Sequence, residues 1–337
     1  MRHLKSCQEL EDLDISYMSC ISYTVTASIS VISTLRNLKS LNLSINSSST
    51  YQDLKSIFTR NALKHLVYLN LVIPFMNNEL LESFTSNCQN IEELWLQIMN
   101  QPASNYLHLL KIDVISRLHN LKKLYLRFPV TAYQIINLFR NRSLKKLKKL
   151  YLTSGSIPNA NNYFFNDHVI QTIAQCCDLE SLDINIKYIM KNFTISSFSQ
   201  FNSLKRLYFH EHAGVQFLSF QAKDFIDMFS SGNLKHLETL GFRTFHGVDD
   251  TVIKLIALKC PKLQFLNLGG NTIISEEAIK SLIQNCKSLK NLHLTENFKC
   301  SKVFLLELKR HVSTLYWCRE EITPALLEKI PNSRFKK

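Results

Sequence analysis

Glycine and proline are scarce in this 337-residue chain, at 7 residues each. That excludes collagen-like sequence and long flexible linkers, and it leaves little material for phosphate-cradling glycine loops. No uninterrupted apolar run approaches the roughly 18 residues of a membrane-spanning helix. The N-terminus, Met1-Arg2-His3-Leu4-Lys5-Ser6-Cys7-Gln8-Glu9, lacks the apolar core of a secretory signal. There is no serine nucleophile elbow, Walker loop or dinucleotide fingerprint, so no catalytic residue is assigned, an enzyme is not expected and no cofactor is implied. His210-Glu211-His212 lacks the H-E-x-x-H spacing and alternates along an expected strand, so it reads as a structural or surface feature and no metal site is assigned.

Acidic residues are missing altogether from Val114 to Asn166, where ten basic ones fall: Arg117, Lys122, Lys123, Arg127, Arg140, Arg142, Lys145, Lys146, Lys148 and Lys149. The whole chain carries a formal net charge of +13, so most of the excess sits in this one stretch. Such a stretch attracts acidic protein, phosphoprotein or nucleic acid, or it forms the solvated face of a scaffold. Lys145, Lys146 and Lys148 fall at the start of a strand and are expected to form an edge.

What the chain has in abundance is one pattern. Cys260-Pro-Lys-Leu263-Gln-Phe-Leu266-Asn-Leu268-Gly-Gly-Asn271 returns 26 residues later as Cys286-Lys-Ser-Leu289-Lys-Asn-Leu292-His-Leu294-Thr-Glu-Asn297. Both fit C-x-x-L-x-x-L-x-L-x-x-N, the leucine-rich-repeat signature. The first apolar position recurs at Leu10, Leu38, Leu66, Ile91, Leu121, Leu147, Leu179, Leu204, Leu237, Leu263, Leu289 and Val312, which makes about twelve repeats. Leucines alternating at x-L-x-L-x suit a short strand with one buried face. Many of the return segments have helical spacing, as in Val252, Leu255 and Ile256. The expected fold is therefore α/β, a horseshoe-like solenoid with a parallel sheet on its concave face and helices on its convex face. The solenoid is expected over 1–320. Residues 321–337 read as a C-terminal capping helix and basic tail, with Pro324 in the first helical turn.

Cys7, Cys88, Cys176, Cys260 and Cys286 all stand three residues before a first apolar frame position, where other repeats carry Leu63, Leu118, Leu144, Phe201 or Leu234. A site that accepts Cys, Leu or Phe is an apolar packing site, so these thiols are expected to be buried and reduced. That usage points to a reducing compartment, cytoplasm or nucleus.

The run from Val248-Asp249-Asp250 through Cys260-Pro261-Lys262-Leu263 to the Cys286 frame resembles the cysteine-containing repeats of F-box/LRR proteins and of the related antagonist-of-mitotic-exit type. The resemblance is specific over 248–297 and looser over 7–317. It implies that the solenoid captures a protein substrate for a cullin-type ubiquitin ligase, to which an N-terminal F-box attaches it through a Skp-type adaptor. Only nine residues precede the first frame here, so adaptor binding is expected only if an F-box lies upstream of this sequence.

Residues between the frame leucines face the concave side. Their central column carries Trp95, Tyr125 and Tyr151 on three consecutive strands, and Tyr208 two strands on. Beside them fall Lys123, Arg127, Lys149, Arg206, His210 and Arg243. Aromatic and arginine side chains at outward positions are the residue types that anchor interfaces. Tyr125 and Tyr151 are expected about 5 Å apart, close enough to stack; stacking that merely supports the sheet is the alternative role. The reading is a non-enzymatic protein-recognition scaffold with an acidic or phosphorylated protein ligand, acting as the substrate receptor of an SCF-type ligase. A stand-alone repeat scaffold is the alternative. Nucleic-acid binding through the basic stretch, with bases stacking on the aromatics, ranks below both. No membrane partner is expected.

Overall fold

The computed structural model describes residues 4, 6–16, 29–45, 51–59, 62–99, 107–154, 166–186, 193–211, 220–243, 247–269, 274–294, 300–317 and 320–323. It divides into two compact units, Met1–Asp178 and Leu179–Lys337.

The first unit holds six strands: β1 (Asp12–Ile15), β2 (Ser40–Ser44), β3 (Tyr68–Ile73), β4 (Glu93–Ile98), β5 (Lys123–Val130) and β6 (Lys149–Ser154). Each pairs in parallel with the next, in frame register: Leu41 faces Leu69, Leu69 faces Leu94, Leu94 faces Leu124 and Leu124 faces Leu150. These leucines are buried, and the residues between them are partly open, as a half-buried strand requires. The return segments are α1 (Tyr51–Ile57), α2 (Asn78–Asn87), α3 (Ala132–Arg140) and α4 (Asp167–Cys176), with 3-10 turns at Ser30–Thr34, Leu107–Leu109 and Ile112–Arg117.

The second unit repeats the scheme with β7 (Ser181–Ile186), β8 (Arg206–Glu211), β9 (Thr239–Arg243), β10 (Phe265–Asn267), β11 (Asn291–His293) and β12 (Thr314–Trp317). Its helices are α5 (Ala222–Ser230), α6 (Asp250–Lys259), α7 (Glu276–Asn285) and α8 (Lys302–His311), preceded by a 3-10 turn at Ile195–Gln200. The twelve parallel strands fall where the leucine frames place them, including the last at Leu315. The fold is a leucine-rich-repeat α/β solenoid.

Side-chain caps start the helices. Asn77, Asn166, Asp249, Ser275 and Ser301 each accept a backbone N–H three residues on, satisfying a donor the helix cannot. The caps also join successive repeats. The Asp250 carboxylate accepts from the Ser275 N–H and hydroxyl, and Glu276 accepts from the Ser301 N–H at 2.6 Å.

The cysteine position has a physical logic of its own. The Cys260 thiol donates to the carbonyl of Leu234, and the Cys286 thiol donates to that of Cys260 at 3.4 Å. Each partner stands at the same frame position one repeat earlier. A thiol there is small, apolar and still able to donate to the second lone pair of a carbonyl that also accepts the N–H three residues on. Burial pushes Cys88 and Cys260 up to about 12 and Cys286 up to about 11. Cys7 departs from the expectation, because it is exposed. It belongs to the first frame, so among the described residues no earlier repeat covers it.

Glu320–Glu321 forms β13, antiparallel to β12, and the Ile322 N–H bonds the Leu315 carbonyl at 2.7 Å. A short returning strand thus satisfies backbone groups along the β12 edge. Residues 324–337, including most of the expected capping helix, lie outside the described residues.

Candidate functional site

In the first unit the open face of the sheet carries an ordered polar and aromatic column. It begins with amides: Asn42 donates to Asp14 at 2.9 Å, and Asn70 donates to Asn42 at 2.9 Å. Hydrogen bonds from Ser16 hold the Asp14 carboxyl below its ordinary value. The column then turns aromatic. Trp95 on β4 stacks on Tyr125 of β5, with centroids 3.5 Å apart and planes 12° from parallel. Tyr125 and Tyr151 lie farther apart than expected, at 6.4 Å and 30°. The tight pair is therefore the one containing the indole.

The reason lies partly in Glu93, which precedes Trp95 by two residues on the same strand. Its carboxylate accepts from the indole Nε1 at 2.7 Å and from Lys123 Nζ at 2.5 Å. This fixes the indole plane and occupies Lys123, whose pKa is raised by that hydrogen bond. Lys123 thus supports the aromatic pair, and its charge is already matched.

Arg127 is placed differently. Along β5 and β6, Leu126 faces Leu152 but the next pair is Pro129 with Thr153, so Arg127 and Phe128 form a bulge with no partner on β6. Bulges re-aim side chains and recur beside functional sites. The exposed Arg127 guanidinium lies over the Trp95 ring at 5.1 Å and the Tyr151 ring at 5.6 Å, a cation–π bridge across the stack. Among the described residues it has no carboxylate partner. Lys149, in register with Lys123, likewise forms no ion pair among them. Beside the guanidinium opens a cleft of about 250 Å³ lined by Tyr68, Asn70, Val72, Trp95, Leu96, Gln97 and Arg127. Burial, then the nearby Glu93 charge, raises the Tyr68 phenol, so it stays a neutral donor.

The remaining expected residues, Arg206, Tyr208 and Arg243, belong to the second unit. Arg206 is exposed, and the Arg243 side chain, like that of His210 and all of His212, lies outside the described residues. The Tyr208 ring lies flat over Gly241 on the next strand, where a Cβ would stand 2.6 Å from its Cδ1. Beyond it Phe265, His293 and Tyr316 continue an aromatic run, with centroids 6.0, 5.0 and 4.3 Å apart in order. Burial lowers the His293 imidazole below its ordinary value, keeping it neutral.

Residue-by-residue reading of the central column passes over Tyr68, Glu93 and Gln97 of the cleft and over Phe265 of the run. All four are outward-facing neighbours of that column, and the alternation that exposes Trp95 also exposes Tyr68, Glu93 and Gln97. Among the described residues no cluster of His, Cys, Asp and Glu is arranged to hold a metal, and no helix is long and apolar enough to cross a membrane.

No protein-family model matches the sequence, and no curated protein matches it. Solved structures do match its fold. The chain is similar to one in the yeast Rad7–Elc1 complex, at 20% identity and a TM-score of 0.60, covering 87% of this chain and 72% of that one. It is similar to an internalin of Listeria monocytogenes at 17% identity and a TM-score of 0.45, covering 92% and 86% respectively. It is also similar to a Leptospira interrogans leucine-rich-repeat protein at 18% identity and a TM-score of 0.41, covering 97% and 95%. At these identities the likeness is one of fold.

Proposed function

We propose that this leucine-rich-repeat chain is a non-enzymatic protein-recognition scaffold. Its first unit grips an acidic or phosphorylated segment of a partner protein on the open face of the sheet. One observation carries the reading: the Arg127 guanidinium is held over Trp95 and Tyr151 at a bulge, exposed and without a carboxylate partner among the described residues. A guanidinium stacked on aromatic faces is oriented before any ligand arrives, so little side-chain entropy is lost on binding. Its fork suits a carboxylate or phosphate. Tyr68, Asn70 and Gln97 offer neutral donors and acceptors beside it, and Lys149, two residues before Tyr151 on β6, adds a second charge outside the cleft. Trp95, Tyr125 and Tyr151 supply the apolar anchor that a charge pair alone lacks.

The test is a screen of the full chain against an immobilised peptide library containing neutral, acidic and phosphorylated members. Acidic or phosphorylated peptides are expected to be enriched, with affinity falling as salt rises. Trp95→Ala and Arg127→Gln should each weaken capture about ten-fold or more. A library without acidic preference, or peptides that bind both variants as tightly as the parent, would refute this site.

The finer reading is a substrate receptor of an SCF-type ubiquitin ligase in the cytoplasm or nucleus, supported by the cysteine-containing repeats over 248–297 and their likeness to the F-box/LRR type. The Rad7 chain that shares this fold was solved in complex with Elc1, which supports a place in an assembly. Co-purification of the protein, with any sequence encoded upstream, together with a Skp-type adaptor is the expected result. Peptide capture without adaptor capture would leave a stand-alone scaffold.

A further inference from the structure

The first unit has a second charged surface that the aromatic cleft does not use. We propose that the edge where its strands begin docks the phosphate backbone of a nucleic acid, with Arg142 at the centre of the contact.

Of the ten basic residues between Val114 and Asn166, three are matched: Lys122 pairs with Glu92, Lys123 with Glu93 and Lys148 with Asp178. Two more, Arg127 and Lys149, lie on the open face of the sheet. The other five are Arg117, Arg140, Arg142, Lys145 and Lys146. All are exposed, and none forms an ion pair among the described residues. Four of them fall within residues 140–146, Arg140 at the end of α3 and the other three in the segment that leads to β6. Arg117 ends the turn before β5, and Lys146 Nζ ties the starts of β5 and β6 together by bonding Asn120 Oδ1 at 2.8 Å. The charges of Arg142 and Lys145 both help to lower the Cys176 thiol, after the hydrogen bond from Cys177 and the Leu144 backbone.

The backbone supplies an independent sign. Arg142 has φ of 51°, and no other non-glycine among the described residues has a positive φ. The second unit offers an internal control. Gly232 stands at the equivalent point after α5, two residues before a buried leucine, with φ of 72°. Each donates its N–H to a carbonyl three residues back, Phe139 at 3.1 Å and Phe229 at 3.2 Å. One repeat fills the left-handed position with the residue that suits it, and the other fills it with arginine at a steric cost. A strained residue that packing does not demand points to function.

The chemistry favours phosphate over a protein partner. A protein interface needs apolar or aromatic anchors. Among the described residues of the first unit the exposed large apolar side chains are Val67, Phe75, Leu109 and Tyr133, and none lies between Arg140 and Lys149. The same lack removes the apolar wedge of an interfacial membrane contact. Phosphate contact needs only cations and neutral donors, and Asn120, Asn141 and Ser143 are interleaved with the five charges. Three of the five are arginines, the better match to phosphate geometry. Such contacts fix position and carry no sequence preference.

The experiment uses the full chain and a labelled random-sequence DNA duplex of about 20 base pairs, with binding read by anisotropy across a salt series. Five neutralised phosphates predict a log–log salt slope of about −4.5. Arg142→Gly should raise the melting temperature while weakening binding several-fold and reducing the slope by about 1. Lys145→Gln with Lys146→Gln, which leaves the backbone unaltered, should also weaken binding. Trp95→Ala should leave it unchanged, so the protein-recognition cleft and this edge stand or fall separately. The proposal is overturned by a slope near zero, by unchanged binding in Arg142→Gly, or by tighter binding to polyglutamate or to phosphatidylserine vesicles than to the duplex.

Discussion

Gln134 is the buried side chain whose replacement by its isostere has the clearest consequence. It is only 4% exposed and makes four hydrogen bonds. Its backbone N–H donates to the Thr131 hydroxyl, and its Oε1 accepts from the Thr131 N–H at 2.9 Å, a reciprocal cap on α3. Its Nε2 donates to the carbonyls of Leu107 and Leu110, both at 2.8 Å, pinning the turn from the preceding repeat. Gln134→Glu keeps the shape and the acceptor but removes both donors. At neutral pH a carboxylate then faces two carbonyl oxygens in a buried site. The Leu107 carbonyl keeps the Leu110 N–H, so the cost is two lost hydrogen bonds at about 1 kcal/mol each plus about 1–3 kcal/mol for a buried carboxylate in their place, roughly 3–5 kcal/mol of stability in all. Repulsion and burial hold the folded pKa of this glutamate above its ordinary value of about 4.3. The deficit therefore shrinks as pH falls through the folded value toward 4.3, because the protonated acid again donates to one carbonyl. Its remainder should be about 1–2 kcal/mol. Urea unfolding of parent and variant at neutral and mildly acidic pH measures both quantities. Parent-like stability at neutral pH, or a deficit indifferent to acidification, would refute the reasoning.

Two other outcomes follow from named groups. Burial between Phe265 and Tyr316 holds His293 below its ordinary value, so the folded pKa is the depressed one. Its contribution to stability is complete above about pH 6.5 and is lost as pH falls through the folded value. A series of thermal melts should show His293→Phe losing less stability than the parent over that acidic range, and parallel curves would contradict this. Among the buried thiols, the hydrogen bond from Cys177, then the Leu144 backbone and the Arg142 and Lys145 charges, bring Cys176 down to about 7. The Cys177 thiol is pushed up by that same bond and by burial. Timed iodoacetamide labelling of the folded protein should modify Cys176 before Cys88 and Cys260, which burial places near 12. Equal rates would argue against that hydrogen bond and the charges beside it.

The repeat frame was legible because one burial rule operates twelve times. Each x-L-x-L-x segment reports which face is covered, and a one-residue slip would expose every leucine. The strands of Leu41 and Leu43, Leu94 and Leu96, and Leu292 accordingly fall where the frame puts them. The cysteines were legible as packing residues, but their thiol-to-carbonyl bonds were not, because the acceptor stands some 26 residues earlier in the chain. Nor did composition distinguish α2 and α3 from the 3-10 turns at Ile112–Arg117 and Ile195–Gln200.

The candidate site divides the same way. Alternation alone puts Trp95, Tyr125 and Tyr151 on the outward face, and a simple count shows the acid-free stretch around them. Which cations remain available is a property of neighbours in space. Glu93 takes Lys123, Glu92 takes Lys122 and Asp178 takes Lys148, whereas Arg127, Arg142, Lys145 and Lys146 form no ion pair among the described residues. The bulge that turns Arg127 onto the indole and the left-handed backbone at Arg142 leave no mark on hydrophobic periodicity. Local pattern determines the period, the faces and the register, since each depends on residues a few positions apart. Tertiary structure decides charge pairing, ring geometry and strain, since each depends on what an adjacent repeat brings within a few ångströms.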